Sequence, residues 1–416
     1  MTDTPTTTLA ASLDGRIEHL ATFNSDPGAG GITREVYSEE YEQACGYVRG
    51  LMQDAGLRVR VDAVGNLYGL WPGTDPHAPR VLTGSHIDTT LNAGKYDGVV
   101  GVLGAMDAII RLQAEGVRPR CGIEVVAFAG EEPRFGQGCT GSLAATGQLA
   151  REDLDSLCDR HGTSLAQALT RVGLNPDDLA AAGLPQARYG AFLELHIEQG
   201  AVLEAAGLAV GVVTHIAAPH DLRITLRGEA MHAGATPMAL RRDALAGAAE
   251  AMLELERLAT TSPSGRTVAT VGVVSVRPGA INVIPGEVEL DVDVRDVDET
   301  IRTQVVDAFL AATATIAARR GLTLTARDIG RRPPAACDER VVDAVRQACD
   351  ELGVRSLEMV SGAYHDAMVL SALMPMGMIF VPSVGGVSHS PLEHTDPGDI
   401  ERGVAVLAHA LKRLAG

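Results

Sequence analysis

Apolar and polar positions follow two different patterns along the chain, and the change between them marks its organisation. Residues 38–56 carry Tyr41, Cys45, Val48 and Met52 at helical intervals and close on Gly56, which predicts an amphipathic helix. RVRVDAVGNLYGLWPG predicts a β-hairpin. RVLTGSHID (80–88), CGIEVVAFAGEE (121–132) and GAFLELHIEQG (190–200) are short apolar runs of strand length with helical patterns between them. Such alternation predicts a mostly parallel sheet covered on both faces. From about residue 218 the period falls to two, in LRITLRGEA, TVATVGVVSVRPG and VELDVDVRD. Two helical stretches interleave, RRDALAGAAEAMLELERLA and DETIRTQVVDAFLAATATIAARRG, and the strand LTLTARDIG follows. The order β-α-β-β-α-β predicts a ferredoxin-like layer. RRPPAA at 331–336 reads as the hinge out of it. Helices near 339–352 and 365–373, a strand MGMIFVPS and a helix at 397–414 complete the chain. The expected fold class is α/β. Residues 1–217 and 333–416 form a mostly parallel-sheet domain, and residues 218–332 form an inserted ferredoxin-like α+β domain.

Composition narrows this only a little. A chain of 416 residues suits two domains, and with 3% aromatics its core must rest on Val, Leu, Ile and Ala. The net charge of −18 argues against a nucleic-acid partner, which needs a basic surface. Cys45, Cys121, Cys139, Cys158, Cys337 and Cys349 form no CxxC pair and read as reduced thiols. The stretch MTDTPTTTLAASLDG lacks a basic region followed by an apolar core, so no signal peptide is expected. No apolar run approaches the roughly 20 residues that span a bilayer. A soluble, cytoplasmic protein with no membrane partner is expected.

The chemistry concentrates at strand ends. The three runs carry His86 and Asp88, Glu131 and Glu132, and His196 and Glu198 at their C-terminal ends. Open α/β sheets bind ligands outside those ends, so the groups should converge on one crevice. The loop LNAGKYDG adds Asp97, and GVSHSP adds His389. Imidazole and carboxylate together suit a borderline divalent metal. Two such ions lower the pKa of a water and polarise the carbonyl it attacks. In this reading His86 and His196 hold one ion, Glu132 and His389 hold the other, and Asp97 bridges them. Asp88 orients the His86 imidazole, and Glu131 is the general base. A two-metal hydrolase is the leading expectation.

The motifs GSHIDT with GKYDG, EEPRFG, LELHIEQG, GEAMHAGATPMALRRDA, NVIPGEVELDVDVRD, SGAYHDA and GVSHSPLEHT run from about residue 83 to 395. They resemble the M20-type metallopeptidase and amidohydrolase superfamily, and within it the amidase, hydantoinase and carbamoylase branch. Peptidase members typically carry Asp or Glu where this chain has His196, whereas a His is typical of the branch that hydrolyses ureido groups. The resemblance implies two divalent ions per chain, Mn2+ or Zn2+, and a homodimer formed through the inserted domain, which also closes over the substrate as a lid. It implies that His232, in MHAGATP, reaches a neighbouring active site and stabilises the tetrahedral oxyanion. Gln199, Asn282 and Arg295 match substrate-binding positions, with Arg295 gripping a carboxylate, and Ser361 and His365 of SGAYHDA belong to the same pocket. The implied substrate is a small ureido carboxylate. The motifs are most similar to those of allantoate amidohydrolases, which yield ureidoglycine, ammonia and CO2. N-carbamoyl-L-amino-acid hydrolases, including β-ureidopropionase, are the alternative. A dipeptidase is disfavoured by His196, and a non-catalytic binding protein by the intact Glu131 and five ligand positions. Asn92-Ala93-Gly94 departs from the Asn-Gly-Gly common in allantoate amidohydrolases, and the choice of substrate leans on that loop.

Overall fold

In the first part of the chain the strands are apolar on both faces, and this sets their arrangement. A computed structural model describes residues 12–416; segment 1–11, most of the stretch read above for a signal peptide, lies outside the described residues. In chain order the strands are β1 Arg58–Val61, β2 Leu67–Trp71, β3 Arg80–His86, β4 Ile123–Phe128, β5 Tyr189–Ile197, β6 Val210–Ile216, β7 Ala218–Arg227, β8 Val268–Arg277, β9 Glu287–Asp296, β10 Thr323–Arg331, β11 Ala335–Ala336, β12 Ser356–Ser361 and β13 Met376–Val381. The chain divides into two compact units. The first runs to Thr214 and resumes over Cys337–Met359 and His365–Gly416; the second holds His215–Ala336 and Val360–Tyr364.

One sheet has the order β1-β2-β4-β3-β5-β13-β6-β11, with β12 also beside β6. Its centre, β4-β3-β5-β13, is parallel throughout, while β2 and β6 run against their neighbours. Every residue of β4 and β13 is buried, and so is nearly every residue of β3 and β5. Central strands covered on both faces need such unbroken apolar runs. The helices Val99–Ala114 and Pro397–Leu414 pack against each other and on these strands. The first buries Val99, Val100, Val102, Leu103, Met106 and Ile109, and the Asp396 carboxylate caps the second. No helix among the described residues is long and apolar enough to cross a membrane.

The second unit is an antiparallel sheet of order β10-β7-β9-β8. Leu222, Ile224 and Leu226 of β7 and Val288, Leu290, Val292 and Val294 of β9 point to one face. There they meet Ala248, Ala251 and Leu255 of helix Ala244–Thr260 and Phe309 of helix Glu299–Arg320. Each of these Val, Leu, Ile and Phe side chains contributes roughly 1.5–3 kcal/mol by leaving water, and the alanines less. The opposite face is charged: Arg223 pairs with Asp291, and Arg227 with Glu287, across the β7–β9 ladder. A slip of one residue would exchange the two faces, so the alternation pins the register. The β-α-β-β-α-β order and this strand arrangement are those of the expected ferredoxin-like layer.

Candidate dinuclear metal centre

The parallel centre of the first unit delivers the candidate ligands. β3 ends on His86, which stands opposite Phe128 at the end of β4; Glu131 and Glu132 follow three and four residues later. His196 lies near the end of β5, opposite Phe380 of β13. Asp97 precedes the helix that begins at Val99, and His389 lies in the loop after β13. His86 Nε2 is 3.8 Å and His196 Nε2 3.2 Å from Asp97 Oδ1. His389 Nε2 is 3.0 Å from Asp97 Oδ2 and 3.4 Å from Glu132 Oε1. The donor atoms of His86, Asp97 and His196 lie within 4.8 Å of one another, and so do those of Asp97, Glu132 and His389. Asp97 belongs to both groups.

The tautomers favour metal ions. His86 Nδ1 is 3.1 Å from the Asp88 carbonyl oxygen, and His196 Nδ1 is 2.9 Å from that of Ile197. A carbonyl can only accept, so each Nδ1 carries the hydrogen, and in the neutral ring, the form that ligates metal, each Nε2 turns a lone pair toward Asp97. His196 Nε2 is buried without a hydrogen-bond partner although an anionic oxygen lies nearby. A lone pair facing a carboxylate is repulsive unless a cation sits between them. Asp88, Asp97 and Glu132 are buried around these rings, with Glu131 nearly so. An uncompensated buried charge costs several kcal/mol. The donor set therefore fits two divalent cations bound by nitrogen and oxygen.

Electrostatics follow from the same crowding. Burial pushes Asp97 upward, but the imidazoles of His196, His389 and His86 crowded around it outweigh that and hold the carboxyl well below its ordinary range. Burial, with Glu132, Asp366 and Asp97 nearby, holds Glu131 well above it. Burial and the charge of Asp97 push Glu132 up to about 7, and the hydrogen bond to Asp97 raises His389 to about 9.

A supporting layer fixes these groups. The Asp88 carboxylate accepts the amides of Glu131 (3.4 Å) and Glu132 (3.0 Å), so it anchors the Glu131–Glu132 turn. Its nearest support for His86 comes from the main-chain oxygen, with Oδ1 3.6 Å from Nδ1. Glu198, expected among the converging groups, instead accepts the amides of Val202 and Leu203 at the start of the next helix. Gln199 Nε2 donates to Asp97 Oδ2 at 3.0 Å, and its Oε1 is buried without a partner. The His365 ring packs edge-on against His196, with centroids 4.5 Å apart. Glu393 and Ser388 were not anticipated. Glu393 accepts the amides of Tyr96 (2.9 Å) and Asp97 (3.2 Å), and the Ser388 hydroxyl contacts both carboxylates. The available signal was Glu393 standing inside the same motif as His389. Gly94 packs so closely on Glu393 that a Cβ would lie 2.2 Å from its Oε1. Asn92 Oδ1 accepts the Gly31 amide, and Ala93 pairs with Ile32. The Asn92–Gly94 loop thus braces the segment carrying Asp97.

Four anticipated substrate residues lie in the second unit. His232 and Asn282 are neighbours, linked by the Ala233 amide on the Asn282 carbonyl (2.9 Å), and both are exposed. His232 Nδ1 accepts the amides of Gly234 and Ala235, which leaves the ring hydrogen on Nε2. Asp293 grips Arg295 through Nε and Nη2, and Arg295 Nη1 donates to the Gly362 carbonyl. Ser361 is buried and its hydroxyl donates to the Ala363 carbonyl.

Residues 71–413 match the family described as peptidase family M20/M25/M40. The chain belongs to this family. This M20 protein is 43% identical over 413 residues to a ureidoglycolate hydrolase of Arabidopsis thaliana, across 98% of this chain and 87% of that protein. It is 43% identical over 401 residues to an N-carbamoyl-L-amino acid amidohydrolase of Geobacillus stearothermophilus, across 96% and 97% of the two chains. An allantoate amidohydrolase of Bacillus subtilis is 37% identical, across 97% of each. The crystal structure of a Burkholderia multivorans amidase of the hydantoinase/carbamoylase family superposes with a TM-score of 0.90 at 35% identity, covering 97% of both chains. The protein is a metal-dependent M20 amidohydrolase of the hydantoinase/carbamoylase branch, acting on C–N bonds.

Proposed function

We propose that this M20 amidohydrolase removes the terminal carbamoyl group of a small α-ureido carboxylate. The observation that carries this reading is the pair of donor groups sharing Asp97 beside Glu131. Allantoate, ureidoglycolate and N-carbamoyl-L-amino acids share one scaffold, a carbon bearing a carboxylate and a ureido nitrogen, and differ in its remaining substituent. Allantoate, cleaved to ureidoglycine, ammonia and CO2, is the first substrate proposed. The N-carbamoyl-L-amino acid reading is favoured by the higher identity to the Geobacillus relative. Ureidoglycolate enters the same comparison through the Arabidopsis relative. The Asn92–Gly94 loop, on which the choice was expected to lean, makes its contacts with Gly31, Ile32 and Glu393. Turnover of the three substrates with manganese or zinc tests the proposal; activity on dipeptides with none on any ureide would overturn it.

His86 and His196 would hold one ion, Glu132 and His389 the other, with Asp97 shared. Bound there, Mn2+ or Zn2+ supplies Lewis acidity toward a carbonyl oxygen and makes a water more acidic. Glu131 takes the proton of the attacking water and passes it to the departing nitrogen; burial makes it a stronger base than an ordinary carboxylate. Asp88 holds the turn that aims it. Gln199 Oε1, an unpartnered acceptor, suits a ureido N–H, with His365 walling the pocket. Arg295, oriented by Asp293, suits the substrate carboxylate beside Asn282 and Ser361. His232, with its hydrogen on Nε2, suits a developing oxyanion. A homodimer through the second unit is supported by edge strand β8, which exposes Val268, Val273 and Val274. If His232 serves the partner's site, mixed dimers of His232→Ala and Glu131→Gln chains regain activity; confirmed mixed dimers without rescue would remove that role. Six free cysteines suit a reducing cytoplasm.

A further inference from the structure

The segment after Glu132 folds back on the general base. The Cys139 amide donates to the Glu131 carbonyl at 2.8 Å, and the Thr140 amide to the Gly130 carbonyl at 2.8 Å. The Cys139 thiol, fully buried, donates to Glu131 Oε1 at 3.6 Å. The other carboxylate oxygen, Oε2, lies 3.8 Å from His86 Nε2. One oxygen of Glu131 is therefore tied to the protein and the other faces the candidate ligands.

The backbone makes this thiol notable. Cys139 adopts φ 57°, a left-handed conformation that is strained for a residue with a side chain and costs glycine little. Gly136 and Gly138 stand nearby, so the turn does not lack glycine. A side chain stands here despite that strain, and its polar contact is Glu131 Oε1.

We infer that Cys139 is a positioning residue for Glu131: its thiol tethers Oε1 and so leaves Oε2 as the oxygen that receives and returns the proton. This rests on Glu131 being the base. A carboxylate on a stem with several rotatable bonds loses rate when it wanders from its line of transfer, while substrate binding, made elsewhere, is untouched. The thiol reacts with nothing and stays a thiol throughout.

Three variants test the assignment: Cys139→Gly, Cys139→Ser and Glu131→Gln. Replacement by glycine relieves the left-handed strain and vacates a small buried volume, two opposed effects, so the melting temperature shifts little and metal content stays at wild type. Over the same comparison kcat falls about tenfold with KM within about twofold. Serine, which donates but reaches less far, recovers part of the kcat. A crystal structure of Cys139→Gly shows the Glu131 carboxyl in more than one orientation. The assignment is overturned if Cys139→Gly keeps kcat within about twofold, if kcat falls only together with melting temperature or metal content, or if serine is no better than glycine. Glu131→Gln separates the two ideas. If it stays active, the base is elsewhere whatever Cys139 does; if it is inactive while Cys139→Gly is not, the base stands and the tether fails.

Discussion

Glu131 and Glu132 are consecutive carboxylates with different neighbours. Glu132 Oε1 faces His389, while Glu131 lies between the Cys139 thiol and His86. Replacing Glu131 by Gln keeps shape and removes the proton acceptor. The expected result is a fall in kcat of about 100-fold or more with metal content unchanged; turnover within a few-fold of wild type would sink the assignment. Gly98 offers a second test at this scale. It follows Asp97 at φ 65°, and a Cβ there would lie 2.4 Å from His86 Nε2. Gly98→Ala should therefore displace the imidazole and lower bound metal toward one ion per chain, measured by elemental analysis; two ions retained would contradict it. The five proposed ligands were legible because each stands in a compact motif at a strand end or just beyond one. Glu393, Ser388 and the tether from Cys139 were not. Glu393 reaches amides 296 and 297 residues away, and no local pattern encodes that approach.

At the scale of elements, legibility followed punctuation. Helices Glu339–Leu352 and Pro397–Leu414 coincide with the reading because Asp338 and Asp396 cap them and apolar spacing fills them. Strand β6 was missed because Ala217 alone separates it from β7, so no turn residue divides the two. Strand β12 was missed because SLEMVS is half exposed and carries little apolar signal. The edge strand β8 is the element with a prediction of its own. Its exposed valines sit on the outer edge of the second unit's sheet, where an open row of backbone groups invites pairing. Val273→Lys should convert the proposed dimer to monomer in analytical ultracentrifugation while leaving each chain folded. A dimer of unchanged stability would show that β8 is not the contact.

At the scale of the whole molecule, folding and metal binding are linked through protons. Without cations, burial and Asp97 hold Glu132 at about 7, burial and Glu194 hold Asp366 at about 7, and the Asp97 hydrogen bond holds His389 at about 9. Each value lies above that of the unfolded chain, about 4.3 for Glu, 3.9 for Asp and 6.5 for His. Such groups stabilise the fold fully below the unfolded values and lose that contribution as pH rises through the folded ones. Asp97 is shifted the other way, so its contribution is present above about pH 3.9 and does not oppose the trend. The chelated protein should thus melt at lower temperature as pH rises from about 5 to 9. Added manganese or zinc should widen its advantage over the same range, because the ligands bind deprotonated. Parallel melting curves with and without metal would refute the linkage.

The bracing of Asp97 by Glu393 has a consequence in time as well as in space. His86 and Asp97 are made early in translation, whereas His389 and Glu393 arrive near its end. At synthesis rates of roughly 5–20 residues per second, about 15–60 s separate His86 from His389 on the ribosome. Through most of that interval a nascent chain holds four of the five proposed ligands, but neither His389 nor the support for its shared carboxylate. On the proposed ligand set, the second donor group and the brace on the carboxylate shared by both close only with the last part of the chain, so a polypeptide truncated before residue 389 should fail to hold the pair of ions, however well its first strands have folded.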